Sequence, residues 1–173
     1  MIVVMASGNG SNFEAIVNSG IKVNLVITNK KDAGVINRAT RLGVHYIVSN
    51  KDYEQHVPKD TKLVILAGFM KLLSSKFVEK FKTVNIHPSL LPSFKGAHAV
   101  KQALDAGVKI SGCTVHWVDK EMDTGKIISQ SSCCVLDNDS EESLSEKIHL
   151  LEHKIYPETI KELIEEKNDN SNS

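Results

Sequence analysis

The sequence predicts an α/β protein built on a doubly wound, mostly parallel sheet with helices on both faces. Three observations carry that prediction. Short runs with almost no polar residue, such as residues 2–6 and Leu63–Leu66, have the apolar character of strands buried on both sides. Segments of helical periodicity separate them, so strands and helices alternate. The first strand runs directly into a glycine turn and a helix, as a strand–helix unit requires.

Taken in order, residues 2–6 read as a strand, and Phe13, Ala15, Ile16 and Val17 fall at helical spacing after the turn. Residues 23–28 are a second strand. A helix over 33–42 follows, ended by Gly43 in a C-cap role. Residues 45–48 give a third strand, 50–58 one or two helical turns, and Leu63–Leu66 a fourth strand. A short helix over 74–81 leads to a strand over 84–87, which Pro88 must end because it cannot donate to a ladder. Residues 97–106 are expected to be a helix carrying His98, and Ile110–Trp117 and residues 127–135 two strands antiparallel to each other. Asp139 and Ser140 cap a last helix with Leu144, Ile148, Leu151 and Ile155 on one face. Pro157 should kink it before Ile160, Leu163 and Ile164 continue the stripe. One domain over 1–165 is expected, with a disordered polar tail over 166–173.

Composition excludes several classes of function. The 173 residues suit one domain, and 21 basic residues against 21 acidic ones leave no electrostatic footprint for nucleic acid or an anionic membrane. No apolar run approaches the ~20 residues of a membrane span. Residues 1–6 lack the charged start of a signal peptide. Cys113, Cys133 and Cys134 are odd in number and lack metal-ligand spacing, which predicts buried thiols in a cytoplasmic protein and no metal site.

Two stretches can carry chemistry. In Asn85-Ile86-His87 the amide and imidazole lie two apart, so they project side by side at a strand's carboxyl end. A polar strand end followed by a turn is the plainer reading of the same residues. The turn Ser7-Gly8-Asn9-Gly10-Ser11-Asn12 opens a helix with free backbone N–H groups, a natural cradle for a phosphate. It lacks both the third glycine of a dinucleotide loop and a Walker lysine, which leaves a single phosphomonoester or an ordinary Asn/Ser-capped turn. Leu66-Ala67-Gly68-Phe69-Met70 adds a strand end with room for close backbone approach and an apolar wall, Phe69 itself being expected in the core.

These stretches, with Asn85-Ile86-His87-Pro88-Ser89-Leu90-Leu91-Pro92, the loop 118–125 containing Asp123, and Glu152-His153-Lys154-Ile155-Tyr156-Pro157, resemble the formyltransferase family that uses 10-formyltetrahydrofolate. The likeness runs from residue 1 to about 160, and the Gly10-Ser11-Asn12 loop points to the branch that formylates glycinamide ribonucleotide in purine biosynthesis. The resemblance implies a Rossmann-like formyltransferase fold, with Asn85, His87 and Asp123 as catalytic residues. It implies that Gly10, Ser11, Asn12, His149, Leu150, Leu151 and Glu152 hold the ribonucleotide, Glu152 through its ribose hydroxyls. The folate would lie against Asn50, Met70, Lys71, Leu72, Leu73, Asn85, Asp119, Lys120, Glu121, Met122 and Asp123. Lys71 stands where the family has arginine, and Val100 where relatives have a histidine. His98 and His116 remain, as packing residues or as support for the site. The chain stops soon after Pro157, which implies a shorter sheet edge. Partners would be small molecules only, to a monomer or homodimer.

The chemistry is coherent from the residues. An amine attacking a formyl carbon builds negative charge on the formyl oxygen, which an amide donor and a protonated imidazole can stabilise. A neighbouring carboxylate favours the charged imidazole and makes proton donation available near neutral pH. The alternatives are another formyl-transfer enzyme, a hydrolase releasing formate from the folate, or a non-catalytic phosphometabolite-binding module.

Overall fold

The structure, a computed structural model, describes residues 1–169, with side chains through residue 165. Seven strands form one sheet: β1 (Ile2–Met5), β2 (Leu25–Thr28), β3 (Tyr46–Val48), β4 (Leu63–Leu66), β5 (Thr83–His87), β6 (Ile110–Trp117) and β7 (Ile127–Cys134). Their order is β3-β2-β1-β4-β5-β6-β7. The first five are parallel, and β6 and β7 extend the sheet antiparallel. Helices α1 (Ser11–Asn18), α2 (Val35–Arg41), α3 (Ser75–Lys80), α4 (Ala99–Asp105) and α5 (Glu141–Asp169) cover it, with a 3₁₀ turn at Tyr53–His56.

Successive residues of each inner strand feed opposite faces. Val4, Val26, Ile65 and Val84 pack under α1, α2, α4 and α5 through Phe13, Ile16, Val35, Ala39, Val100, Leu144, Ile148 and Tyr156. Val3, Met5, Ile27 and Leu66 pack on the other side with Val57, Phe77 and Phe81. Each fully buried aliphatic side chain contributes about 1.5–3 kcal/mol. Strands β1 and β4 are apolar throughout because both of their faces are covered, as the sequence predicts.

Winding reverses between β1 and β4: one side runs outward through β2 and β3, the other through β5. Such a switch point opens a crevice at the carboxyl ends of the strands. The singled-out stretches border it, since β1 leads into the turn at residues 7–10, β4 into residues 67–73, and the neighbouring β5 ends at His87. Helix α5 crosses the same region, anchored by Tyr156, whose buried hydroxyl donates to the carbonyl oxygens of Leu66 (2.8 Å) and Val84 (3.2 Å).

Several expectations are corrected. His98 is not in a helix; it precedes α4 in the left-handed region at φ 58°. Pro157 lies inside the last helix, which runs as one element from Glu141 to Asp169, and Ile160, Leu163 and Ile164 continue its core-facing stripe as expected. Its start is capped as expected, Ser140 and Ser143 exchanging backbone-to-hydroxyl hydrogen bonds. The helix includes residues 166–169, expected to be disordered; the remainder of that expected tail, 170–173, lies outside the described residues. Of the three thiols only Cys113 is buried; Cys133 is partly so and Cys134 is exposed, because β7 is an edge strand that turns alternate residues to solvent.

Candidate active site

Strand β5 stops at His87, before Pro88, and holds Asn85 and His87 on one face. The antiparallel pairing of β6 sets His116 directly opposite Asn85. His116 Nδ1 lies 2.9 Å from the carbonyl oxygen of Trp117, which can only accept, so Nδ1 carries the proton. Burial lowers the His116 pKa, the largest influence on it, and keeps the ring neutral. Its Nε2 is then an acceptor, 3.2 Å from Asn85 Nδ2. This bond fixes which way the Asn85 amide faces and leaves its second N–H for a ligand.

Asp123 arrives from the loop between β6 and β7. Asp119 curls that loop by accepting from the Glu121 N–H (3.0 Å) and the Thr124 hydroxyl (2.8 Å). Gly125 closes it against the Trp117 carbonyl, where a Cβ would stand 1.7 Å from the oxygen. Asp123, at φ 55°, places Oδ2 3.4 Å from His87 Nδ1 and accepts the Gly96 N–H at 2.8 Å. Its Oδ1 lies 3.6 Å from His116 Nε2. His87 Nε2 donates to the Phe94 carbonyl at 2.8 Å. Both His87 nitrogens therefore face oxygen atoms, Nε2 in a hydrogen bond to the Phe94 carbonyl and Nδ1 at ion-pair distance from the Asp123 carboxylate. The side chains of His87 and Asp123 are 7% and 8% exposed, so water screens the pair weakly. The segment between His87 and Phe94 is braced by Thr114, whose hydroxyl donates to the Ser89 carbonyl (2.7 Å) and accepts the Leu91 N–H (3.0 Å).

The turn before α1 is built around Gly10, at φ 83°, where an added Cβ would lie 2.7 Å from Val35. Helix α2 supports it from behind: the Val35 N–H donates to the Gly8 carbonyl (3.1 Å) and Arg38 Nε to that of Asn9 (2.9 Å). No side chain caps α1. The Asn12 amide turns instead to Glu152 of α5, Nδ2 donating to Oε2 at 2.8 Å, while its Oδ1 is buried without a partner. Glu152 is 5% exposed, and burial raises its carboxyl pKa against the opposing pull of Asn12, His149 and His87. Asn12 and Glu152 thus meet at the uncapped start of α1, with Glu152 within electrostatic reach of His87.

Across the crevice Met70 and Leu72 are 73% and 70% exposed, and Met122 53%. Apolar side chains this exposed, one pair after β4 and one on the β6–β7 loop, are candidates to cover a flat ligand. Phe69 packs below, edge-on to Tyr53 at 5.1 Å, and Leu73 packs against the core. Lys71, Asp119, Lys120 and Glu121 are exposed, and Lys120 pairs with Glu79 at 2.6 Å. Asn50 is exposed beyond β3, the edge strand opposite β7, and makes no hydrogen bond among the described residues. In α5, His149 stacks with His153 at 6.4 Å, Leu150 is exposed and Leu151 packs on the core. The sequence reading overlooked the Phe94 carbonyl, the Gly96 N–H and Tyr53, whose hydroxyl braces the Leu72 carbonyl (2.9 Å). Backbone partners have no signature in a sequence.

Among the described residues, no group of His, Cys, Asp or Glu could hold a metal ion and no helix is long and apolar enough to cross a membrane. Comparison with known proteins matches residues 1–160 to the family model for formyl transferase. Phosphoribosylglycinamide formyltransferase of Bacillus subtilis is 41% identical over 93% of this chain and 93% of its own length. The human trifunctional purine biosynthetic protein adenosine-3 is 41% identical over 90% of this chain, which spans only 17% of that protein. The solved phosphoribosylglycinamide formyltransferase of Anaplasma phagocytophilum superposes with a TM-score of 0.87 at 41% identity, covering 96% of this chain and 87% of its own.

Proposed function

The chain belongs to the formyl transferase family, and from that premise we propose that it transfers the formyl group of 10-formyltetrahydrofolate to the amine of 5′-phosphoribosylglycinamide, in de novo purine biosynthesis. The observation that carries this reading is the meeting of Asp123, from the β6–β7 loop, with His87 on β5, which also carries Asn85, while Glu152 bonds Asn12 at the uncapped start of α1 and lies within electrostatic reach of His87.

In this reading the phosphate rests on the amides of Gly10, Ser11 and Asn12, favoured by the positive end of α1. Glu152 takes the ribose hydroxyls, with His149, Leu150 and Leu151 completing that side. The folate lies between Met70, Lys71, Leu72 and Leu73 on one loop and Asp119, Lys120, Glu121 and Met122 on the other, with Asn50 at the periphery. The amine attacks the formyl carbon and the C=O bond becomes a C–O⁻ bond. The free N–H of Asn85 and the Nδ1–H of His87 donate to that oxygen. His87 Nε2–H stays with Phe94, so Nδ1 is the nitrogen whose proton is available. Collapse restores the carbonyl as the bond to folate N10 breaks, and the proton lost by the amine is returned to N10 as tetrahydrofolate leaves. Asp123 holds the imidazolium in place throughout.

One domain over residues 1–165, small-molecule substrates and a monomeric or homodimeric enzyme in the cytoplasm complete the reading; neither metal nor nucleic acid takes part. The test is turnover of glycinamide ribonucleotide with 10-formyltetrahydrofolate by purified protein. Folded protein that transfers no formyl group refutes it.

A further inference from the structure

Ser7 is 2% exposed and sits where the ends of β1, β2 and β4 converge, at the point of reversed winding. Its hydroxyl donates to Asn29 Oδ1, beyond the end of β2. The same oxygen accepts the Met70 N–H at 2.8 Å, and the Ser7 N–H donates to the Gly68 carbonyl at 3.1 Å. Ser7 thus begins the phosphate-side turn while tying down the first backbone N–H of the apolar wall across the crevice. Asn29, 7% exposed, orients the hydroxyl so that its lone pair faces Met70.

We propose that Ser7 is a positioning residue that couples the two halves of the site. A ligand that orders either loop orders the other through this residue, its hydroxyl holding the Met70 N–H. The proposal rests on the functional reading above, which supplies the two ligands. Coupling must be reciprocal: each ligand tightens the other by the same factor. With no side chain at Ser7 able to hold Met70, both the coupling and the affinity for the folate are reduced.

The experiment is calorimetric titration of glycinamide ribonucleotide with and without saturating tetrahydrofolate, a pair that cannot react. The wild type should bind the ribonucleotide at least about fivefold more tightly when the folate is present. In Ser7→Ala that ratio should fall to one, and the KM for the formyl donor should rise roughly two- to tenfold, the worth of one net hydrogen bond. Ser7→Thr keeps the hydroxyl and should keep the coupling. A wild-type ratio of one, an Ala variant with the wild-type ratio, or a Thr variant without it overturns the proposal. Failure of the functional reading is a different result, in which neither ligand binds the wild type.

Discussion

Asn85 donates its side-chain N–H to a histidine that can only accept it: His116 Nε2 lies 3.2 Å away, and the proton of that ring is committed through Nδ1 to the Trp117 carbonyl. His116 therefore acts on chemistry through Asn85 and not on the substrate. Asn85→Ala should lower kcat by about a hundredfold or more, the usual worth of one oxyanion donor. His116→Ala should lower it by roughly tenfold, because the amide remains but its orientation is lost. The double variant should be no slower than Asn85→Ala alone. Steady-state rates of the three variants decide this, and additive losses would give His116 an independent role.

Asp123 has two tasks that substitution can separate. Its carboxylate faces His87 Nδ1, and its Oδ2 also accepts the Gly96 N–H. Asp123→Asn keeps an oxygen for Gly96 but removes the charge, whereas Asp123→Ala removes both. If the charge matters through His87, both variants should lose about a hundredfold or more in kcat, within the range of general acid–base contributions. An Asn variant with wild-type kcat would show that Asp123 serves the loop alone.

Much of this arrangement is legible before any coordinates. Pro88 announces the end of β5, and the two-residue spacing of Asn85 and His87 places them on one face. The inner strands β1 and β4 read as unbroken apolar runs because both of their faces are buried. What escapes reading is contact through the backbone. The Phe94 carbonyl orients His87, and the Met70 N–H binds Ser7, yet any residue type supplies those atoms. The approach of Asp123 to His87 depends on how the β6–β7 loop curls, and only the family resemblance pointed to it. The polar composition of residues 166–173 suggests disorder, but Glu and Lys are good helix formers, and a helix already packed through Ile164 extends to Asp169 at little cost.

Two glycines are predicted to be irreplaceable for different reasons. Gly10 combines φ 83° with Val35 at 2.7 Å from any added Cβ. Gly10→Ala should displace the amides that face the phosphate and raise the KM for the ribonucleotide about tenfold or more, while kcat at saturation changes less. Gly125→Ala meets the Trp117 carbonyl at 1.7 Å and must shift the loop bearing Asp123, so its loss should fall on kcat. Equal effects of the two substitutions on both constants would contradict this division.

Glu152 sets affinity against stability. Burial raises its folded pKa above the ordinary 4.5, so the native state holds a proton that the unfolded chain releases. Below pH 4.5 the group is protonated in both states and imposes no ionisation cost. As pH rises through 4.5 towards the folded pKa the unfolded chain binds fewer protons than the native state, and stability falls. Glu152→Gln keeps the shape and an acceptor for Asn12 but cannot ionise. Urea titrations from pH 4 to pH 8 should therefore show the Gln variant gaining on the wild type as pH increases, while its affinity for the ribonucleotide decreases at neutral pH. A stability difference independent of pH would mean that the buried carboxyl ionises as readily in the fold as in the open chain.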